Sequence, residues 1–395
     1  MKKMLLLFVL FYTGIYYACT TAIISGKYTK DGRPLLWKHR DAGEEDNVIK
    51  YFNDSKYYYI GLVNASDKNG ENVWAGCNEY GFAIMNSASY NLIEEDTIDY
   101  IDQEGKLMKK ALGECKTLED FENMLKTMPK PLGVQANFGV IDATGGAAYY
   151  ETDQFTFTKI DANDSKIAPF GYVVRTNYSF TGNPETGYGY IRYNTANKLL
   201  YTASAMGNLT PEYIINNCSR SLFHSLLGID LSEESSKSGF VQFQDYIPRT
   251  SSVASIVIHG IKKGEDIKDM IMWSVVGFPL TSVSVPIFVF NKNKLPEIVS
   301  GTTEGKSLLC SYSLKLKETL FPIKRGNGGN YIKIDKLINS NGTGILTKVT
   351  EIEKGVIKIT NRIIKSKYDE NNINTLYSEI DKYIKEKYEE NFNIN

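Results

Sequence analysis

Cys19 is the residue of this sequence with the clearest chemical potential, because it follows an apolar leader and opens a β-like run. Lys2 and Lys3 precede an apolar stretch from residue 4 to residue 15, and Ala18 stands directly before the cysteine. Cleavage after Ala18 would leave a thiol and a free α-amine on one residue. The α-amine titrates near pH ~8, so at neutral pH part of it can accept the thiol proton and later return it to a leaving nitrogen. This pair predicts acyl transfer at an amide carbonyl.

The leader allows two interpretations. A signal-peptidase site favours small residues at the third and first positions before the cut, and Tyr16 occupies the third. A cysteine at the mature start is also typical of lipoproteins, in which the thiol is acylated and the amine is blocked, but their signal normally has an aliphatic residue where Tyr16 stands. We predict residues 1–18 as the signal peptide of an exported protein, periplasmic or secreted. A non-enzymatic surface lipoprotein, anchored through Cys19 and carrying a ligand-binding domain, is the alternative.

The composition is that of a globular protein and excludes some partners. With 395 residues, 42% of them hydrophobic and 23% charged, the chain can hold one large domain or two ordinary ones. The formal net charge of -1 gives no electrostatic reason to expect nucleic acid or an anionic membrane as partner. After the leader, no apolar run is long enough to span a bilayer. We expect a small-molecule amide as partner, and homo-oligomerisation stays open.

The remaining cysteines and the histidines do not form a second site. The four cysteines have wide, irregular spacing with no zinc pattern, and export would allow any of three disulfide pairings. We favour free, buried thiols. None of the histidines belongs to an HExxH motif, and no phosphate loop or G-x-S-x-G elbow occurs, so we expect neither a cofactor nor a metal. The residues concerned are Cys77, Cys115, Cys218 and Cys310, and His39, His224 and His259.

Strand patterns dominate the chain, and helical segments interrupt them. This grouping indicates a layered α+β fold rather than regular βαβ alternation. From residue 366 onward, apolar residues at helical spacing predict a peripheral amphipathic helix over residues 366–395. The predicted strands cover residues 20–25, 34–38, 57–63, 73–75, 82–86, 137–142, 147–152, 249–259 and 283–290, and the predicted helices begin at Thr117 or cover residues 191–203 and 211–227.

Several short motifs follow Cys19 in a specific order. They are Cys19-Thr20-Thr21, Asp31-Gly32, residues 35–41, 79–86 and 174–178, and, more weakly, 192–196 and 273–286. In this order they resemble the N-terminal-nucleophile (Ntn) hydrolases, most closely the penicillin acyltransferase-like group of isopenicillin-N acyltransferase and carcinine hydrolase. Choloylglycine (bile salt) hydrolases and acid ceramidase are more distant relatives. The resemblance covers most of residues 19–291.

The resemblance implies a fold and a reaction. The fold would be a four-layer αββα sandwich with two stacked antiparallel sheets, and we expect it to occupy residues 19–365. The reaction would cleave a linear, non-peptide C–N amide bond through an acyl-thioester on Cys19. The acyl and amine parts of the substrate, and the choice between hydrolysis and acyl transfer, stay open.

The resemblance also implies roles for individual residues. Cys19 would be the nucleophile, with its own α-amine as base. Asp41 would hydrogen-bond that amine and fix its orientation. Asn177 would offer its side-chain amide to the oxyanion, and Asn86 its backbone N–H or side chain. Arg192 would be the late arginine of the site.

One position departs from the family pattern. Relatives often carry an arginine three residues before the aspartate, where this chain has Lys38, and Arg40 adjoins Asp41. Positive charge near the thiol is kept, but a bidentate fork is lost if Lys38 is the counterpart. Which of Lys38 and Arg40 faces the site stays open.

Overall fold

A computed structural model describes residues 18–93, 102–233, 239–292, 294–301, 305–364 and 369–394. The predicted signal peptide lies outside these ranges except for Ala18. The strands are β1 Thr20–Ile24, β2 Leu35–Asp41, β3 Asn47–Phe52, β4 Tyr59–Asn64, β5 Ala75–Asn78, β6 Ala83–Ala88, β7 Ala136–Ile141, β8 Ala147–Thr152, β9 Phe157–Asp161, β10 Tyr172–Arg175, β11 Phe223–His224, β12 Ile229–Asp230, β13 Phe240–Gln242, β14 Ser252–His259, β15 Ile271–Val276, β16 Val285–Ile287 and β17 Tyr331–Lys333. The α-helices are α1 Glu104–Glu114, α2 Leu118–Thr127, α3 Tyr190–Ala205, α4 Pro211–Tyr213, α5 Glu297–Ser300, α6 Leu308–Leu320, α7 Ile334–Leu337, α8 Ile345–Ile364 and α9 Glu370–Phe392.

Two large antiparallel sheets form the centre of the fold. The first has six strands in the order β10-β1-β2-β14-β15-β16, and the second has seven in the order β3 to β9. Neighbouring strands in both sheets run antiparallel. Strands β1 and β2 of the first sheet pack on β6 and β7 of the second. The two sheets are therefore stacked face to face.

Helices cover the outer faces of both sheets. Helix α3 packs on β1 and β10, and Ala196 and Leu200 join the apolar cluster on that side. Helices α1 and α2 cover the seven-stranded sheet, where Phe121 of α2 packs with Phe138 and Tyr150. The order of layers is thus helix, sheet, sheet, helix. The predicted α+β fold with four αββα layers is confirmed.

Local sequence signals explain where α2 begins. The Thr117 hydroxyl accepts from the Asp120 N–H, and the Asp120 carboxylate accepts from the Thr117 N–H. This reciprocal capping box satisfies two backbone donors that the first helical turn leaves without partners. The helix predicted to begin at Thr117 is confirmed.

Three predictions of secondary structure need correction. The helix predicted over residues 211–227 is wrong in its second half, because α4 passes into a π-turn over Ile214–Cys218 and the chain then enters β11. The strand predicted over residues 283–290 is reduced to β16, which contains Pro286, a residue without a backbone N–H for the ladder. Strand β5 begins only at Ala75, so Trp74 precedes it.

The C-terminal helices pack against each other and join an apolar cluster that includes strand residues. Helix α9 pairs with α8 and places Ile373, Leu376, Ile380 and Ile384 in the same apolar cluster as residues of β2 and β14. This face follows the helical spacing seen in the sequence. The division into a domain of residues 19–365 and a helix of residues 366–395 stays a prediction, while α9 itself is part of the packed core.

All five cysteines are buried and unpaired in the structure. Burial raises the pKa of Cys115 and of Cys310 to about 12, and it also raises the pKa values of Cys77 and Cys218. These four thiols are protonated at neutral pH and are poor nucleophiles. Within the described ranges, every helix is too short or too polar to cross a membrane.

Candidate active site

Cys19 lies immediately before β1, an inner strand of the first sheet between β10 and β2. The register of β1 and β2 pairs Thr20 with His39 and Thr21 with Lys38, and one further step places Cys19 opposite Arg40. Because side chains alternate along a strand, Cys19, Lys38 and Arg40 share the face that looks toward the second sheet. Lys38 and Arg40 therefore both face the thiol, whereas the sequence left open which of the two does.

A cavity of about 380 Å³ lies between the sheets at this point. Cys19, which is 8% exposed, forms part of its wall. The two sheets contribute opposite walls, and α1 and the segment after β2 close its sides. The lining residues are Cys19, Lys38, Arg40, Asp41, Ala42, Gly43, Glu44, Asn64, Trp74, Asn86, Ala88, Tyr90, Asp102 and Glu104.

Lys38 connects the thiol to the second sheet. Its ammonium donates to the Trp74 carbonyl oxygen at 2.8 Å and to the Asn86 side-chain oxygen. The Asn86 amide nitrogen in turn donates to the Glu104 carboxylate, which is buried at the start of α1. Both ends of the Asn86 amide are thus engaged by protein groups. The Asn86 side chain thus holds Lys38, and its predicted role toward the oxyanion stays a prediction.

Arg40 is held by neutral groups only. Its guanidinium donates to the side-chain oxygens of Asn47 at 2.6 Å and of Asn64 at 2.9 Å. The guanidinium carbon lies 4.8 Å from the centroid of the Trp74 ring, close enough for a cation–π contact. These contacts fix the plane of the guanidinium without neutralising it.

The inner end of the cavity therefore carries two buried positive groups. Burial lowers the pKa of Lys38 to about 8, although the nearby Cys19 acts in the opposite direction. Burial also lowers the pKa of Arg40, to about 10. Arg40 stays charged at neutral pH. Among the described residues, no carboxylate forms an ion pair with either group. Positive charge of this kind favours the thiolate over the thiol.

Asp41 is the centre of a second group of contacts. Its buried carboxylate accepts from Arg249 Nε at 2.8 Å and from the Ser252 hydroxyl at 2.6 Å. Ser252 Oγ also lies 2.9 Å from His39 Nε2. Burial lowers the pKa of His39 to about 4, so this imidazole is neutral at physiological pH and does not supply a charge to Asp41.

Arg249 also reaches the peptide bond that precedes Cys19. Its Nη2 lies 2.7 Å from the Asp41 carboxylate and 3.4 Å from the carbonyl oxygen of Ala18. Asp41 and the Ala18–Cys19 link thus share one guanidinium. The predicted hydrogen bond between Asp41 and the α-amine of Cys19 stays a prediction.

Arg192 holds the backbone of Cys19. It is 1% exposed, and its Nη1 donates to the Cys19 carbonyl oxygen and, at 2.9 Å, to Thr20 Oγ1. Gly189, which caps α3 with a φ of 90°, makes room for this side chain, because a Cβ there would stand 2.3 Å from Arg192 Nη2. Gly189 therefore allows Arg192 to pack closely against the start of α3.

Asn177 lies behind the cavity rather than in its wall. Its side-chain oxygen accepts from Arg192 Nη2 at 3.0 Å, and its Nδ2 donates to the Ala88 carbonyl oxygen at 2.9 Å. The residue is fully buried. In this structure Asn177 orients Arg192, and its direct contact with an oxyanion stays a prediction.

Four residues at the site were not found from the sequence. Arg249 and Ser252 contact Asp41, Trp74 stacks under Arg40, and Glu104 binds Asn86. The sequence shows Arg249 and Ser252 only as the start of a predicted strand. No group of three or more His, Cys, Asp or Glu residues suited to a metal occurs in the part of the chain that the structure describes.

No protein-family model and no curated protein sequence matches this chain. Among solved structures, the chain is similar to a Caenorhabditis elegans N-acylethanolamine-hydrolyzing acid amidase ortholog, with 14% identity and a TM-score of 0.42 over 61% of this chain and 92% of that one. A conjugated bile acid hydrolase variant from Clostridium perfringens has 13% identity and a TM-score of 0.38 over 70% and 93%. Penicillin V acylase from Agrobacterium tumefaciens has 13% identity and a TM-score of 0.39 over 69% and 86%. All three belong to the superfamily that the motifs resemble, and these values are too low to assign the chain to it.

Proposed function

We propose that this chain is an exported cysteine Ntn-hydrolase or acyltransferase of the penicillin acyltransferase-like group, which cleaves a linear C–N amide bond. The observation that carries the proposal is the placement of Cys19. The residue that would become the N-terminus lies in the wall of a cavity between two stacked sheets, facing Lys38 and Arg40. A thiol that served only packing would have no need of two buried cations on its face.

The reaction follows from the groups around Cys19. Removal of the leader exposes an α-amine, which takes the thiol proton while the thiolate attacks the substrate carbonyl carbon. The tetrahedral intermediate collapses when its C–N bond breaks, and the ammonium gives the proton to the leaving nitrogen. Water or a second amine then attacks the thioester, so the acyl group leaves as an acid or a new amide and the thiol is regenerated.

Asp41 and Arg192 act on the nucleophile rather than on substrate. The Asp41 carboxylate lies beside the Ala18–Cys19 link through Arg249, where it can accept from the new α-amine. Arg192 holds the Cys19 carbonyl oxygen and so fixes the direction of the thiol. Orientation of this kind is a main source of catalytic rate, because it removes rotational freedom before the reaction.

The lipid-anchored alternative requires a different state of Cys19. An acylated cysteine must leave the protein surface toward a membrane, whereas Cys19 is 8% exposed and contacts the core between the sheets. Mass spectrometry of the mature N-terminus separates the two functions. We expect an unmodified Cys19 at position one; a diacylated Cys19, or a mature protein that begins elsewhere, would exclude the mechanism.

Turnover tests the chemistry directly. The purified mature protein should release amine from at least one member of a panel of N-acyl amino acids, β-lactams and conjugated bile acids. Cys19→Ala should abolish this release while far-ultraviolet circular dichroism stays unchanged. Cys115→Ala is the matched control, since that thiol is buried outside the cavity and should leave turnover intact. Turnover retained in Cys19→Ala would point to another nucleophile.

A further inference from the structure

A second cavity lies on the face of the six-stranded sheet that points away from Cys19. It has a volume of about 300 Å³, and among the described residues it shares no part of its wall with the cavity at Cys19. Trp273 of β15, which lines it, pairs with Val257 of β14. The preceding residue, Ile256, pairs with Lys38, so Val257 and Trp273 lie on the opposite face from Lys38. Helices α4 and α8 complete the walls of this space, which we call the outer cavity.

Apolar side chains form much of the wall of the outer cavity. Those of Ile215 and Ile271 are buried, and those of Trp273, Ile357 and Ile364 are half-buried. Small-molecule sites have volumes of ~300–1,000 Å³, largely apolar walls and a few polar groups that fix the orientation of the ligand. The outer cavity lies at the lower end of this range, so a ligand that it encloses is small.

Ser284 supplies a polar group in this wall. Its side chain is 0% exposed, and its Oγ has no hydrogen-bond partner within the described part of the chain. The neighbouring Glu353 carboxylate accepts from the Ser284 backbone N–H at 2.6 Å and from the Arg220 guanidinium at 2.8 and 2.7 Å. The carboxylate is thus satisfied, whereas a buried hydroxyl without a partner costs free energy. The Ser284 hydroxyl is therefore the group that a ligand can engage at the buried end.

The charged residues of the wall disfavour an anionic ligand. Arg33 Nε lies 2.9 Å from the Glu265 carboxylate, and His259 Nε2 lies 2.7 Å from the Asp31 carboxylate. Both basic side chains thus have acidic partners already, and the exposed Glu212 adds negative charge at the rim. An anion would have to compete with these carboxylates, whereas a neutral molecule would not.

We propose that the outer cavity binds a small, neutral, largely apolar molecule that carries one hydroxyl or carbonyl group. The Ser284 hydroxyl both donates and accepts, so it pairs with either group. The apolar part of the ligand packs against Trp273 and the isoleucines of the wall. This site does not depend on the proposed function, because Cys19 faces the other side of the sheet.

Three matched probes test the chemistry of the site. 4-Propylphenol is neutral and has a hydroxyl, propylbenzene lacks the polar group, and 4-propylbenzoate is an anion. Isothermal titration calorimetry on the purified protein should show one saturable site for 4-propylphenol. Its Kd should be at least about fivefold lower than that of propylbenzene and at least about tenfold lower than that of 4-propylbenzoate. No saturable binding of 4-propylphenol, or equal affinity for the benzoate, would overturn the proposal.

Variants locate the probe. Ser284→Ala should weaken 4-propylphenol at least about fivefold and leave propylbenzene within twofold, because only the phenol loses a hydrogen bond. Ser274→Ala is the matched control, since that serine is also buried but does not line the outer cavity, and it should leave both affinities unchanged. Equal losses in Ser284→Ala and Ser274→Ala would refute the role of the Ser284 hydroxyl.

Two further variants distinguish the outer cavity from the one at the thiol. Ile357→Trp extends a half-buried side chain of α8 into the outer cavity and should abolish binding of both neutral probes. Cys19→Ala should leave the Kd of 4-propylphenol within twofold. Binding kept by Ile357→Trp, or lost in Cys19→Ala, would place the probe elsewhere and overturn the proposal. Far-ultraviolet circular dichroism confirms that each variant is folded.

Discussion

The pairing of Asp41 with Arg249 gives a prediction whose size follows from the contacts. Arg249→Met removes the two bonds of 2.8 and 2.7 Å and leaves the buried carboxylate with Ser252 alone. Hydrogen bonds to charged groups contribute about 1.5–3 kcal/mol each, and loss of one partner of a buried pair costs about 3–5 kcal/mol. Because the Arg249 side chain is 18% exposed, water can replace it in part. We expect the free energy of unfolding to fall by about 2–4 kcal/mol.

A double-mutant cycle isolates the pair. The free energy of unfolding is measured in urea by tryptophan fluorescence. The double variant Arg249→Met with Asp41→Asn should lose at least ~1 kcal/mol less than the sum of the two single variants, because it leaves no buried charge without a partner. Arg362→Met is the control, since its pair with Glu379 has side chains 61% and 41% exposed and should contribute less than about 1 kcal/mol. Additive losses, or equal losses for Arg249→Met and Arg362→Met, would refute the idea that Arg249 stabilises the Asp41 carboxylate.

Three further predictions concern the site. Burial lowers the pKa of Lys38 from 10.5 to about 8, so between pH 8 and 10.5 the folded protein binds fewer protons than the unfolded protein and its free energy of unfolding rises with pH. Lys38→Met should remove this rise. Parallel curves of unfolding midpoint against pH for both proteins would contradict the prediction. Gly189→Ala should lower the melting temperature and turnover more than Gly207→Ala, because both glycines have positive φ but only a Cβ at Gly189 meets Arg192; equal melting temperatures would argue against crowding. Asp41→Asn should lower kcat with little change in KM in steady-state kinetics, because in the proposed mechanism Asp41 orients the α-amine of Cys19. A raised KM with unchanged kcat would instead assign Asp41 to substrate binding.

Local patterns in the sequence were sufficient to predict the main strands and the fold class. Short runs bounded by turn residues predict β1, β7 and β8, although every residue of these three strands is buried. The strand pattern also indicates that Lys38 and Arg40 lie on the same face of β2, because side chains two residues apart on a strand share a face. The helix predicted over residues 211–227 is wrong in its second half, where the chain forms a turn and a short strand. Over so few residues, the spacing of apolar residues does not distinguish these structures from a helix.

The contacts of the site could not be predicted because they join distant parts of the chain. Arg249 is separated from Asp41 by 208 positions. Glu104 contacts Asn86 from the start of α1, 18 positions later, where no catalytic motif marks it. The family resemblance supplied Asn177 as an oxyanion donor, whereas the structure places it against Arg192. Hydrogen-bond partners of buried polar groups depend on packing between strands, which neither spacing nor composition records.

The pairing of β2 with β14 has a consequence for the order of events in the cell. Asp41 obtains Ser252 from a strand synthesised 211 positions later. A ribosome-bound fragment that ends before this point has the cysteine but not the neighbours that hold its aspartate. Cys19 and Asp41 therefore gain their full surroundings only after most of the polypeptide has been synthesised.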